Sequence, residues 1–108
     1  MSNRFGKLAL SLTCCAAGAM LLLSGCNSPK GNAAEGQRWY NMQNCSACHG
    51  PNGNDGRAAE ISAIDMSFGS FIDIIRDPYS PSMPRFSVEK LSDNDAADIY
   101  AWLKSMPK

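Results

Sequence analysis

The chain has 108 residues, a length that suits one small domain. Ten basic and ten acidic side chains leave no net formal charge, and this balance argues against a nucleic-acid-binding protein. The apolar and charged fractions, 44% and 19%, are those of an ordinary globular protein and argue against a disordered one.

The first quarter of the chain has the pattern of an export signal. A basic start precedes an uninterrupted run of apolar and small residues from Leu8 to Leu23. This run is shorter than the roughly 20 apolar residues that a membrane-spanning helix needs. We therefore predict a signal peptide over residues 1–25, and its removal would discard Cys14 and Cys15.

Leu23-Ser24-Gly25-Cys26 ends this run and closely resembles the lipobox of bacterial lipoproteins. The resemblance implies cleavage before Cys26 and lipidation of that cysteine; an ordinary signal peptide or an uncleaved anchor is the alternative. Residues 26–33 are small and polar, which is typical of a flexible tether. We expect a protein exported by a bacterium and lipid-anchored to a membrane, on its periplasmic or outer-surface side.

Residues 34–44 suit a helix that places Gly36, Trp39 and Tyr40 on neighbouring turns. Glycine is a poor helix residue, so we interpret Gly36 as a point where another helix approaches closely. This helix would lead directly into the next motif.

Cys45-Ser46-Ala47-Cys48-His49 combines two thiols three residues apart with an imidazole that follows at once. Such a string is typical of c-type haem attachment. The two sulfurs can add to the two vinyl groups along one haem edge, and the imidazole can then bind the iron. We predict one haem c, covalent through Cys45 and Cys48, with His49 as an axial ligand.

Three other interpretations of the motif are weaker. A thioredoxin-like dithiol belongs to a βαβ unit, and the chain shows no alternation of strands with helices. A zinc site needs about four ligands, whereas the chain has one histidine. Chance pairing of structural cysteines would not explain the adjacent imidazole.

Beyond the motif, the pattern predicts a loop and two further helices. Residues 50–56 are dense in turn-forming residues and are predicted to form the loop. Ser67 can cap a helix that Asp77-Pro78 would end. The apolar stripe of this helix consists of Phe68, Phe71, Ile72 and Ile75. Ser92 and Asp95 resemble the capping box of a final helix.

The second axial ligand cannot be a histidine of this chain, because His49 is the only one. Met42 lies too near the attachment site and Met106 at the end of the last helix, while chain reach allows Met66 or Met83. A thioether is a weak ligand that must be held in place. The prolines on both sides of Met83 stiffen its loop, so its ordering has a low entropic cost. We predict Met83, with Met66 or an open sixth position as alternatives.

From about residue 34 to residue 106 the chain resembles the class I cytochromes c, specifically small exported monohaem forms of bacteria. The resemblance lies in Met83-Pro84, in Leu91-Ser92-Asp93, and in positions that pack the first helix on the last. These positions are Gly36, Tyr40 or Trp39, Ile99 and Trp102. The resemblance implies an all-α, cytochrome c-like fold with three main helices around one covalently bound haem.

The chain departs from this family in two places. Tyr40 stands five residues before Cys45, where the family commonly has its aromatic residue four before. Residues 56–61 lack the proline whose carbonyl group often fixes the proximal imidazole, so the acceptor for His49 is not identified.

The predicted organisation is a signal peptide (1–25), a tether that begins at lipidated Cys26 (26–33) and a cytochrome c domain (34–108). With His49 and Met83 as ligands, the protein would carry single electrons between membrane or periplasmic redox proteins and would not be an enzyme. Redox partners would make transient contacts at the haem edge. We expect neither nucleic acid nor a small-molecule substrate.

Two other functions fit the same residues. One is a fixed electron-entry haem subunit of a larger dehydrogenase or oxidase. The other is a haem enzyme or ligand sensor with an open sixth position, which would require that Met83 does not bind the iron.

Overall fold

The computed structural model describes residues 28–108, which form four α-helices and no β-strand. The helices are α1 (Ala33–Met42), α2 (Ser46–His49), α3 (Phe68–Arg76) and α4 (Asp93–Ser105). The all-α prediction is confirmed, since three longer helices enclose the core and α2 is a single turn at the motif. The predicted signal peptide and Cys26 lie outside the described residues. None of the helices in residues 28–108 is long and apolar enough to cross a membrane.

Helices α1 and α4 approach each other most closely at Gly36. A Cβ atom at this position would overlap the carbonyl oxygen of Asp98 and crowd Cβ of Trp102. The Asn32 side chain caps α1, because its Oδ1 accepts from the Ala34 backbone amide at 3.0 Å. The backbone amide of Asn32 donates to Asp98 Oδ1 at 2.7 Å. The prediction that Gly36 marks a close helix contact is confirmed.

Tyr40, rather than Trp39, is the aromatic residue at the centre of this contact. Its side chain is fully buried, and its ring centroid lies 4.8 Å from that of Trp102. Trp39 is half-buried and lies beneath the guanidinium group of Arg38. The Tyr40 hydroxyl also donates to the Gly50 carbonyl at 2.6 Å, which ties α1 to the residue after the motif.

The hydrophobic core joins the three longer helices and the segments between them. The apolar stripe of α3 contributes Phe71 and Ile75, as predicted. The full cluster consists of Tyr40, Ile64, Phe71, Ile75, Phe86, Leu91, Ala96, Ile99, Trp102 and Leu103. Helix α3 therefore packs against the core with the apolar stripe that the sequence indicates.

Serine residues cap α3 and α4. Ser67 Oγ accepts from the Ser70 amide, and Ser92 Oγ accepts from the Asp95 amide, each at 3.1 Å. The Asp95 carboxylate in turn accepts from the Ser92 hydroxyl at 2.7 Å, in place of the Ser92 backbone N–H that a full capping box uses. Only half of the predicted box forms at α4.

Candidate functional site

An apolar cleft lies between the motif, α3, the chain that follows α3, and α4. About 380 Å³ of space in this cleft is not filled by protein atoms, and this figure includes space that is open to solvent. Its lining residues are Tyr40, Cys45, His49, Ile61, Phe71, Ile75, Met83, Phe86, Leu91, Ile99 and Leu103. The cleft thus brings together three of the predicted site residues, namely Cys45, His49 and Met83.

The two motif cysteines differ in their position relative to this cleft, and they form no disulfide with each other. Cys45 is half-buried in the cleft wall, whereas Cys48 is exposed and is not a lining residue. Cys45 has helical backbone angles at the start of α2, so a separation of three residues places both thiols on one helix face. Burial raises the pKa of the Cys45 thiol from 9.0 to about 11.

The imidazole of His49 is held by a backbone carbonyl. Its Nδ1 lies 2.8 Å from the carbonyl oxygen of Ala59. Because a carbonyl oxygen only accepts, Nδ1 is the nitrogen that donates, so in the neutral ring Nε2 is the one that carries the lone pair. A histidine fixed in this way presents its other nitrogen to a metal in one orientation. Ala59 is therefore the acceptor that the sequence did not identify, and it lies in the segment that lacks the proline.

Gly56 and Ala58 bring Ala59 to this position. The Ala58 amide donates to the Cys48 carbonyl at 2.9 Å, and a Cβ atom at Gly56 would overlap that same carbonyl. The predicted loop at 50–56 reverses the chain with two glycines at φ values of 82° and 76°. The glycine-rich composition indicated the reversal, but no residue type indicates which carbonyl will meet the imidazole.

Met83 lies in the loop that joins α3 to α4, and its half-buried side chain lines the cleft. Phe86 anchors this loop, since its amide donates to the Ile75 carbonyl at 2.9 Å. Arg76 Nη1 donates to the Phe86 carbonyl at 2.8 Å, while Nη2 lies 2.6 Å from Asp93 Oδ1. The prolines around Met83 are evident in the sequence, but the contacts of Arg76 are not, because a sequence pattern does not indicate which groups a guanidinium will contact.

The other methionines of residues 28–108 lie elsewhere. Met66 packs against the core but does not line the cleft, and its carbonyl accepts from the Tyr100 hydroxyl at 2.7 Å. Met42 is 57% exposed, and Met106 packs beside the core after α4. Among the described methionines, Met83 alone lines the cleft.

These residues fit a covalently held haem. The cleft offers apolar walls to a macrocycle, with Cys45 among its lining residues and the exposed Cys48 three positions further along the chain. The His49 imidazole leaves Nε2 available, and the Met83 thioether lies on the same cleft. Imidazole and thioether are the axial ligands of many c-type haems.

The model of the family described as cytochrome C oxidase, cbb3-type, subunit III matches residues 31–103. The matched span includes every residue that lines the cleft. No curated protein and no solved structure matches the chain.

Proposed function

Because the chain belongs to the family described as cytochrome C oxidase, cbb3-type, subunit III, we propose that it transfers electrons through one haem c. Family membership establishes a cytochrome c domain, and such a domain supports haem-based electron transfer. The finer proposal rests on one observation, which is that Cys45, His49 and Met83 line a single apolar cleft. When bound there, the haem supplies a one-electron iron couple.

Each site residue has a distinct role in this proposal. Cys45 and Cys48 hold the macrocycle covalently, and His49 binds the iron through Nε2. The Ala59 carbonyl fixes the imidazole plane and raises its basicity. Met83 supplies the opposite ligand, and a methionine opposite a histidine raises the reduction potential. With both axial positions filled, no position is left for a substrate, so we propose no enzymatic activity.

The first test is a redox titration of the purified protein. We expect one haem per chain that stays attached after denaturation and titrates reversibly with a single electron. A haem that separates from the denatured chain would contradict attachment through Cys45 and Cys48. Immediate binding of carbon monoxide by the reduced protein would favour an open-site enzyme or sensor instead.

We also propose that Cys26 carries a lipid and holds the domain at a membrane surface. Gly31 packs directly on Ala97 and Ala101 of α4, so only residues 27–30 separate the anchor from the folded domain. An extended chain of that length reaches roughly 15–20 Å, which would keep the haem domain close to the membrane.

Membrane fractionation tests the anchor. Wild-type protein should fractionate with membranes, and Cys26→Ser protein with soluble exported proteins. A Cys26→Ser protein that stays on the membrane without lipid would contradict the anchor.

A fixed subunit of a larger oxidase is a second candidate function. The family's description as an oxidase subunit favours it. Purification from detergent-solubilised membranes separates the two functions, since a free carrier elutes alone whereas a fixed subunit elutes in constant ratio with larger partners. Either outcome keeps electron transfer through the same cleft.

A further inference from the structure

We propose that Arg76 is a positioning residue, which holds the loop at residues 77–86 closed and thereby keeps the Met83 thioether on the iron. The inference rests on the proposed ligation by His49 and Met83. In this proposal the Arg76 guanidinium group stabilises the bond between Met83 and the iron, which is the weaker of the two axial bonds.

Arg76 joins three parts of the fold. It is the last residue of α3, and only 20% of its side chain is exposed. One nitrogen donates to the Phe86 carbonyl at 2.8 Å, and another lies 2.6 Å from Asp93 Oδ1 at the start of α4. The planar guanidinium can make both bonds at once, because its donors form a rigid fork.

These bonds close the base of the Met83 loop. The chain leaves α3 at Asp77 and returns at Phe86, whose amide donates to Ile75 and whose ring is 6% exposed. Arg76 adds a second bond at the same point by binding the Phe86 carbonyl. Met83 lies only three residues before this closure.

The rest of the loop has few contacts of its own. Tyr79 is 92% exposed, and both Pro81 and Pro84 are exposed. Within the loop, the Met83 amide donates to the Ser80 carbonyl at 3.2 Å. A segment with so little burial opens locally unless its ends are fixed, so the closure at Phe86 controls the position of Met83.

Arg85 provides a matched comparison within the same loop. It carries the same charge and pairs with Asp77 at 2.7 Å, but the two side chains are 74% and 73% exposed. Exposed ion pairs contribute little because water screens them. Arg76 differs from Arg85 in its burial and in its bond to the loop backbone.

Imidazole in solution can compete with Met83 for the iron, and it binds only when the thioether has left. Its apparent affinity therefore rises in proportion to the population of the open loop. Losing a charge-assisted hydrogen bond shifts such an equilibrium by roughly tenfold or more.

The experiment is an imidazole titration of the oxidised full-length holoprotein. We expect Arg76→Gln to bind imidazole roughly tenfold more tightly than wild type, while Arg85→Gln stays within about twofold. The imidazole affinity of Arg76→Lys should fall between those of wild type and Arg76→Gln, because an ammonium group keeps the charge but cannot make both hydrogen bonds in the geometry of the guanidinium. Hydrogen exchange at the Phe86 amide should accelerate in Arg76→Gln and stay unchanged in Arg85→Gln.

A general loss of stability is tested by Ile64→Val, which removes a methyl group from a buried residue that does not line the cleft. If Ile64→Val tightens imidazole binding as much as Arg76→Gln at a matched loss of stability, the positioning role is wrong. Equal affinities in wild type and Arg76→Gln would also overturn it. A wild-type protein without methionine ligation would instead overturn the proposed ligand set, and the role of Arg76 with it.

Discussion

At the scale of single residues, two side chains near the motif depend on individual backbone carbonyls. His49 donates to Ala59 at 2.8 Å, and Tyr40 donates to Gly50 at 2.6 Å. Both acceptors belong to residues 50–59, the segment that follows the motif. The conformation of that segment therefore fixes the imidazole and the buried phenol together.

Tyr40 gives this arrangement a measurable pH dependence. Burial, with a smaller contribution from Cys45, raises the pKa of Tyr40 from 10.0 to about 12. Burial still acts when Cys45 is a thioether. The folded protein then holds this proton more tightly than the unfolded chain does, so the contribution to stability is complete below about pH 10 and is lost as the pH rises towards 12.

Tyr40→Phe should separate the contribution of the hydrogen bond to Gly50 from the effect of the raised pKa of Tyr40. At neutral pH the variant should lose about 1 kcal/mol of unfolding free energy, because the hydrogen bond to Gly50 is gone. At about pH 11 the difference from wild type should shrink, since phenylalanine has no proton to lose. Denaturant unfolding of both holoproteins at the two pH values measures this. A constant difference would contradict the raised pKa.

Residue identities predicted part of the site. The spacing of Cys45, Cys48 and His49 indicated haem attachment, and the prolines around Met83 indicated a second ligand; the structure brings Cys45, His49 and Met83 to one cleft. Their roles as ligands stay predictions. Ala59 could not be predicted, because every residue carries a carbonyl group and only the folded loop selects one.

At the scale of helices, the contact between α1 and α4 depends on the missing side chain at Gly36. A Cβ atom there would meet backbone rather than a flexible side chain, so the helices would have to move apart. Gly69 is also helical, in the first turn of α3, but a Cβ atom there would meet only Ser67 Oγ at 3.9 Å. Substitutions at these two glycines therefore distinguish the effect of helix packing, at Gly36, from the effect of helix propensity, at Gly69.

Alanine at these two glycines should change stability in opposite directions. Gly36→Ala should lower the free energy of unfolding by about 1–3 kcal/mol through overpacking. Gly69→Ala should raise it by up to about 1 kcal/mol, because alanine is the better helix former and has room. Denaturant unfolding of both variants measures the signs. A stabilised Gly36→Ala would show that α1 and α4 are not in close contact.

Helix boundaries were predicted where the sequence carries a local signal. Ser67 and Ser92 mark the starts of α3 and α4 because their hydroxyls accept from the amides three residues ahead. The end of α1 was misplaced, since the helix stops at Met42 rather than at residue 44. Asn44 adopts a φ of 60°, a left-handed conformation that asparagine tolerates better than most residues, and this turns the chain into the motif.

At the scale of the whole molecule, the core and the cleft share most of their residues. Seven side chains belong to both: Tyr40, Phe71, Ile75, Phe86, Leu91, Ile99 and Leu103. A domain of this size buries a limited apolar area, so a haem packed against these side chains would complete the core.

Preventing haem attachment should therefore affect the whole domain. We expect Cys45→Ser/Cys48→Ser protein without haem to retain helical far-UV circular dichroism but to lose near-UV signal and cooperative thermal unfolding. Cys26→Ser is the matched control, because it changes a cysteine that is not part of the haem motif and should keep both haem and cooperativity. A haem-free double variant that unfolds as cooperatively as the control, at the same temperature, would contradict a core completed by haem.

The central claim is that one haem lies between His49 and Met83, and the absorption spectrum of the oxidised protein tests it most directly. Wild type and Met66→Ala should both show the charge-transfer band between methionine sulfur and iron, and Met83→Ala should lack it. Absence of the band from wild type, or its survival in Met83→Ala, would contradict the claim.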